Sequence, residues 1–97
     1  MIRQPTAISI DARLDNWASS GRGRYDPADA ALVDQAWRRL APCHKDLLLM
    51  AYQWRAGREV ICRRLGIRRR PWGCYEIELA CAKKALSALL ALNARTG

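Results

Sequence analysis

Ninety-seven residues, 51% of them hydrophobic and none of them Phe, make one domain with one modest core built from Leu, Ala, four Trp and three Tyr. Seventeen Lys and Arg stand against nine acids, a net charge of +8, which favours a polyanionic partner, either nucleic acid or an anionic membrane surface. The longest uncharged apolar run is too short to span a bilayer and no signal peptide opens the chain, so a membrane span is excluded and a cytoplasmic protein is expected.

Met1–Ile8 has no periodicity and is broken by Pro5, which predicts a flexible arm ahead of a helical domain over 9–97. Ser9 is placed to cap a short helix over Ile10–Ala18, with Asp11 in its first turn. Ile10, Leu14 and Trp17 recur on one face of that helix. Ser19–Arg24 is a basic Gly/Ser loop. Arg22 and Arg24 are candidate phosphate contacts there, and a solvated linker is the alternative.

Asp26-Pro27 opens the second helix, a cap followed by proline in the first turn. Val33, Ala36, Trp37 and Leu40 form its apolar stripe, and Arg38 and Arg39 end it where cations suit the helix dipole. Pro42 opens a third helix that runs to about Arg55, with Leu47, Met50, Ala51 and Trp54 as its stripe. Leu48 and Leu49 widen that apolar face, so this helix is expected to be the central one.

Arg58–Tyr75 reads as the heart of a helix-turn-helix extending over about 58–78. Its first helix is Arg58–Leu65, with Ile61, Cys62 and Leu65 inward. The turn is Gly66–Arg68, where glycine supplies the left-handed residue and Ile67 plugs the bend. The second helix is expected to open at Arg69 or Arg70, with Pro71 in its first turn and Trp72 and Tyr75 inward. Arg68, Arg69 and Arg70 then cluster at the tip that enters the major groove. From there Arg69 and Arg70 can read guanine edges, while Arg58 and Arg63 meet phosphates. A plain helix pair with a solvated basic turn is the alternative.

The final helix can run from Trp72 to about Asn93 without a breaker. Tyr75, Leu79, Ala82, Leu86, Leu89 and Asn93 alternate by four and three residues. That stripe serves either the core or a self-association seam over Leu86–Leu92. Lys83 and Lys84 lie on the polar side. The fold class predicted is all-α, a single small domain of about five helices with a long C-terminal one.

Cys43, Cys62, Cys74 and Cys81 form no C-x-x-C pair, and Cys43-His44 are adjacent and splay on a helix. No zinc module, disulfide framework or cofactor motif follows from that spacing. Cys62 reads as a small buried core residue. No nucleophile, base and acid stand at catalytic spacing, and the one histidine has no partner acid, so the expectation is a binding protein rather than an enzyme.

Leu40–Leu90 resembles the helix-turn-helix of the minus-35-reading domain of primary sigma factors. The likeness runs from Pro42-Cys43-His44-Lys45-Asp46-Leu47-Leu48 through Glu59-Val60-Ile61-Cys62-Arg63-Arg64-Leu65-Gly66-Ile67 to Ala82-Lys83-Lys84-Ala85-Leu86. Leu14-Asp15-Asn16-Trp17-Ala18-Ser19-Ser20-Gly21-Arg22 is similar to the opening of the phage Q-type transcription antitermination proteins, where a Trp-bearing helix gives way to a basic Gly/Ser loop. That resemblance implies a phage or prophage factor that binds double-stranded DNA beside a promoter. Such a factor loads onto paused bacterial RNA polymerase still carrying its primary sigma factor. It then narrows the exit channel around the nascent RNA and suppresses termination. By position, Arg69, Arg70, Gly73 and Cys74 match the base-facing residues of the sigma-like helix, although Gly73 and Cys74 are short where long polar residues are usual. Some branches of the family carry zinc, which the cysteine spacing here does not support. The alternatives are a repressor or activator acting only at initiation, and a small polymerase-binding inhibitor.

Overall fold

A computed structural model describes residues 9–19, 25–68 and 73–96. Among them the architecture is all-α: α1 (Ile10–Ser19), α2 (Pro27–Trp37), α3 (Pro42–Leu48) continued by a π-helical turn (Leu49–Gln53), α4 (Arg58–Leu65) and α5 (Cys74–Thr96). No strand occurs among the described residues. The expected arm, Met1–Ile8, lies outside them.

Local chemistry sets the first two helices. The Ala12 N–H donates to Ser9 Oγ (3.1 Å) at the start of α1. Asp26 Oδ1 accepts from the N–H groups of Ala28 (3.1 Å) and Asp29 (3.2 Å), with Pro27 at the first helical position of α2. The two helices are clasped side by side. Asn16 Nδ2 donates to the Asp26 carbonyl (2.9 Å) and the Asp26 N–H returns to Asn16 Oδ1 (2.8 Å). Arg13 grips Asp29 through Nε (3.0 Å) and Nη2 (2.7 Å), and Trp17 Nε1 donates to Asp34 (3.2 Å). Arg38 caps α2 and pairs with Asp34 at 2.8 Å, four residues back.

One core joins all five helices. Leu14, Val33, Ala36, Leu47, Leu48, Ile61, Ala82 and Leu86 are fully buried, and Trp17, Leu40, Met50 and Leu90 nearly so. Trp17 and Trp37 lie with ring centroids 5.5 Å apart, and Trp37 Nε1 donates to the Lys45 carbonyl (3.0 Å). On α5, Ala82, Leu86 and Leu90 are buried while Leu92 is 54% exposed. Within Leu86–Leu92, Leu86 and Leu90 are therefore core and Leu89 packs half-buried against it.

The third helix departs from expectation. An α-helical period would put Trp54 above Leu47 on the core face. Instead the Trp54 N–H donates to the Leu49 carbonyl (3.0 Å), a bond spanning five residues. Such a wide turn inserts about one residue, or ~100° of rotation. Trp54 is swung out of the core and stands 55% exposed. The turn closes through Arg55, at φ 52°, with the Ala56 N–H on the Met50 carbonyl (2.9 Å). That bond spans six residues, one more than the six-to-one bond of a Schellman end, because the turn it closes is π-helical, and arginine stands where glycine is usual.

Candidate nucleic-acid interface

α4 spans Arg58–Leu65, as its periodicity predicts. Gly66 closes it in the left-handed region, φ 70°, ψ 27°, with its N–H on the Cys62 carbonyl. The Ile67 N–H reaches the same carbonyl (2.9 Å). Ile61 and Cys62 are buried, and Leu65 and Ile67 pack half-buried against the core. Anchoring that face turns Arg58, Arg63 and Arg64 outward, and Arg68 in the following turn is exposed as well.

The second helix begins later than expected. Gly73 lies at φ 98°, outside helical backbone, and its carbonyl accepts the first α5 bond from the Ile77 N–H (2.8 Å). α5 therefore starts at Cys74 and does not run back through Gly73 to Arg69 or Arg70. Gly73 belongs to the connection rather than to a recognition helix, and Cys74 is the half-buried first residue of α5. Pro71 marks no first turn of this helix, because glycine with positive φ intervenes. Arg69, Arg70, Pro71 and Trp72 lie outside the described residues, as do Arg22 and Arg24. The clasp between Asn16 and Asp26 closes the helices on either side of that basic loop.

Arg58 has a structural duty. Its guanidinium pairs with the Glu76 carboxylate and lies 5.5 Å from the Tyr75 ring centroid, tying the start of α4 to the first turn of α5. Burial pushes the Tyr75 hydroxyl above its usual range. Arg63 and Arg68 make no ion pair among the described residues. Arg64 lies 5.9 Å from the Trp54 ring centroid. Trp54, Arg55 and Arg64 are the residues that periodicity alone missed. The i, i+7 spacing assigns Trp54 to the core, and no local signal announces a π turn.

Charge is concentrated in this part of the molecule. Arg55, Arg58, Arg63, Arg64, Arg68, Arg69 and Arg70 fall within sixteen consecutive positions that hold one acid, Glu59. Seven positive charges less one give +6 of the chain's +8. Upstream, between residues 9 and 46, the six acids Asp11, Asp15, Asp26, Asp29, Asp34 and Asp46 balance the six cations Arg13, Arg22, Arg24, Arg38, Arg39 and Lys45. The basic field is thus a property of α4 and its flanks, not of the whole surface. The cysteines are free, Cys62 buried and Cys43 and Cys81 exposed. No group of three potential metal ligands forms among the described residues, and no described helix is long and apolar enough to cross a membrane.

Compared with protein-family models, curated proteins and solved structures, the chain matches none.

Proposed function

We propose that this chain is a phage or prophage transcription antitermination factor that binds a promoter-proximal DNA duplex through α4, the turn after it and the start of α5. The observation that carries the DNA-binding half is the +6 segment Arg55–Arg70, within which α4 buries its inner face. Buried Ile61 and Cys62 leave Arg63 and Arg68 exposed and unpaired, available to release counterions from phosphates. Arg69 and Arg70 continue that run and are the residues assigned to base edges. Arg58 keeps at most a secondary phosphate role, since it is engaged with Glu76 and Tyr75. The polymerase half is supported by the resemblance to Q-type antiterminators over Leu14–Leu90 and to sigma factors over Leu40–Leu90. Its partners are double-stranded DNA, RNA polymerase with its primary sigma factor, and the nascent RNA leaving the enzyme.

Transcription in vitro through an intrinsic terminator tests this reading. The template carries, beside the promoter, a duplex site selected with the purified chain from a random pool. Readthrough that needs the site in cis is the expected result. Altered initiation without readthrough would make the chain a repressor or activator. Inhibition on every template would make it a polymerase inhibitor.

A further inference from the structure

Of the tryptophans among the described residues, Trp17 is buried and Trp37 is half-buried with its indole N–H bonded to Lys45. Trp54 stands in solvent. Two unfavourable backbone devices put it there, the π turn before it and the left-handed Arg55 after it. Wide turns and strained non-glycine residues collect where function requires a side chain to be aimed. Trp54 also lines an open groove of about 310 Å³ with Ala18, Ser19, Gln53 and Arg55, at the small end of the range for ligand sites. Arg64 supplies a second cation at the ring.

An exposed indole, a neighbouring amide and hydroxyl, and two arginines are the parts that hold an unpaired nucleobase. The ring stacks on the base, Gln53 offers a donor and an acceptor to its edge, Ser19 Oγ, which donates to the Asp15 carbonyl (2.7 Å), offers an acceptor, and the guanidinium groups meet the flanking phosphates. A paired base offers no free face, so the ligand is a single strand. We propose that Trp54 is a stacking platform for single-stranded nucleic acid, with Arg55 and Arg64 on the strand's phosphates. The inference goes beyond duplex binding and does not rest on it.

Fluorescence anisotropy with labelled strands of about a dozen nucleotides tests it. The probes are oligo(U), oligo(dT), an abasic strand of equal length and a duplex. The wild-type chain should bind both base-bearing strands more tightly than the abasic one. Trp54→Ala should lower affinity for those strands roughly five- to hundredfold, to the abasic level. It should leave abasic and duplex binding unchanged, and Trp54→Phe should retain most of the affinity. Arg55→Ala combined with Arg64→Ala should weaken every single strand, abasic included; no loss there would overturn the phosphate assignment. Loss on oligo(U) and oligo(dT) alike is the result expected of a stacking site, whereas loss on oligo(U) alone would overturn the stacking assignment, since both bases present an aromatic face. Equal wild-type affinity for base-bearing and abasic strands would overturn the proposal without any variant. So would a Trp54→Ala loss of equal proportion on duplex and single strands. A chain that discriminates bases this way but ignores duplex DNA keeps this inference and loses the antitermination reading.

Discussion

Arg55 is the residue whose replacement should improve the fold. It sits at φ 52°, where a Cβ crowds the following carbonyl at a cost of ~1–2 kcal/mol. Glycine removes that crowding but gives up ~0.5–1 kcal/mol of backbone entropy on folding. Arg55→Gly should therefore stabilise by roughly 0.5–1 kcal/mol, a rise in melting temperature of about 2–8 °C for a domain of this size. Arg55→Ala keeps the Cβ and serves as the control, expected to melt close to the wild-type chain. Thermal unfolding followed by far-UV circular dichroism measures all three. If Arg55→Gly melts no higher than Arg55→Ala, residue 55 is not left-handed in solution and the account of the π-turn ending is wrong. The same glycine removes a cation from the Trp54 groove, so stability and single-strand affinity should move in opposite directions.

Three further perturbations test the frame. Asp11 accepts from Lys83 Nζ (2.7 Å) and the Tyr52 hydroxyl (2.9 Å), joining α1, the π turn and α5. Lys83 and then Tyr52 hold its carboxyl below the usual 3.8, and Asp11 in turn raises Lys83 above 10.5. The lowered carboxyl contributes stability that is complete above 3.8 and lost as pH falls through the folded value; the raised ammonium contributes below 10.5 and loses it as pH rises through its folded value. Asp11 is exposed, so Asp11→Asn should cost only ~0.2–1 kcal/mol at neutral pH. The urea-midpoint gap should close in strong acid; a gap unchanged there would contradict the pairing. Leu86→Ala empties a fully buried position and should cost ~2–5 kcal/mol, seen as a lower urea midpoint with the slope preserved. Gly66→Ala meets no atom within 4 Å but leaves φ 70° to be borne by alanine, so chemical denaturation should show a purely backbone loss of ~1–2 kcal/mol.

The parts of the fold that were legible in the sequence are those decided within a few residues. Ser9, Asp26-Pro27 and Gly66 mark helix ends by satisfying nearby backbone groups, and each does so here. The stripes through Leu14, Val33 and Leu86 point inward because a 3.6-residue period leaves them no other common face. The π turn was hidden because Leu47, Met50 and Trp54 keep a sound α-helical spacing while the backbone bonds do not. The start of α5 at Cys74 was hidden because proline favours a first turn and no local signal announces the positive φ of Gly73. In the candidate site, the outward direction of Arg63 followed from the buried face of α4. The engagement of Arg58 by Glu76 did not follow, since it joins residues of two different helices.

The basic segment as a DNA-reading surface is tested most directly by duplex affinity over a salt series. The wild-type chain, Arg63→Ala and Arg70→Ala are each measured on the selected site and on random DNA. The account predicts tight, salt-dependent binding by the wild-type chain. Arg63→Ala should weaken both duplexes about equally and reduce the salt slope by about one unit. Arg70→Ala should lose the selected site by roughly 1–3 kcal/mol more than random DNA. Binding that ignores salt, or an Arg70→Ala loss equal on both duplexes, would contradict it.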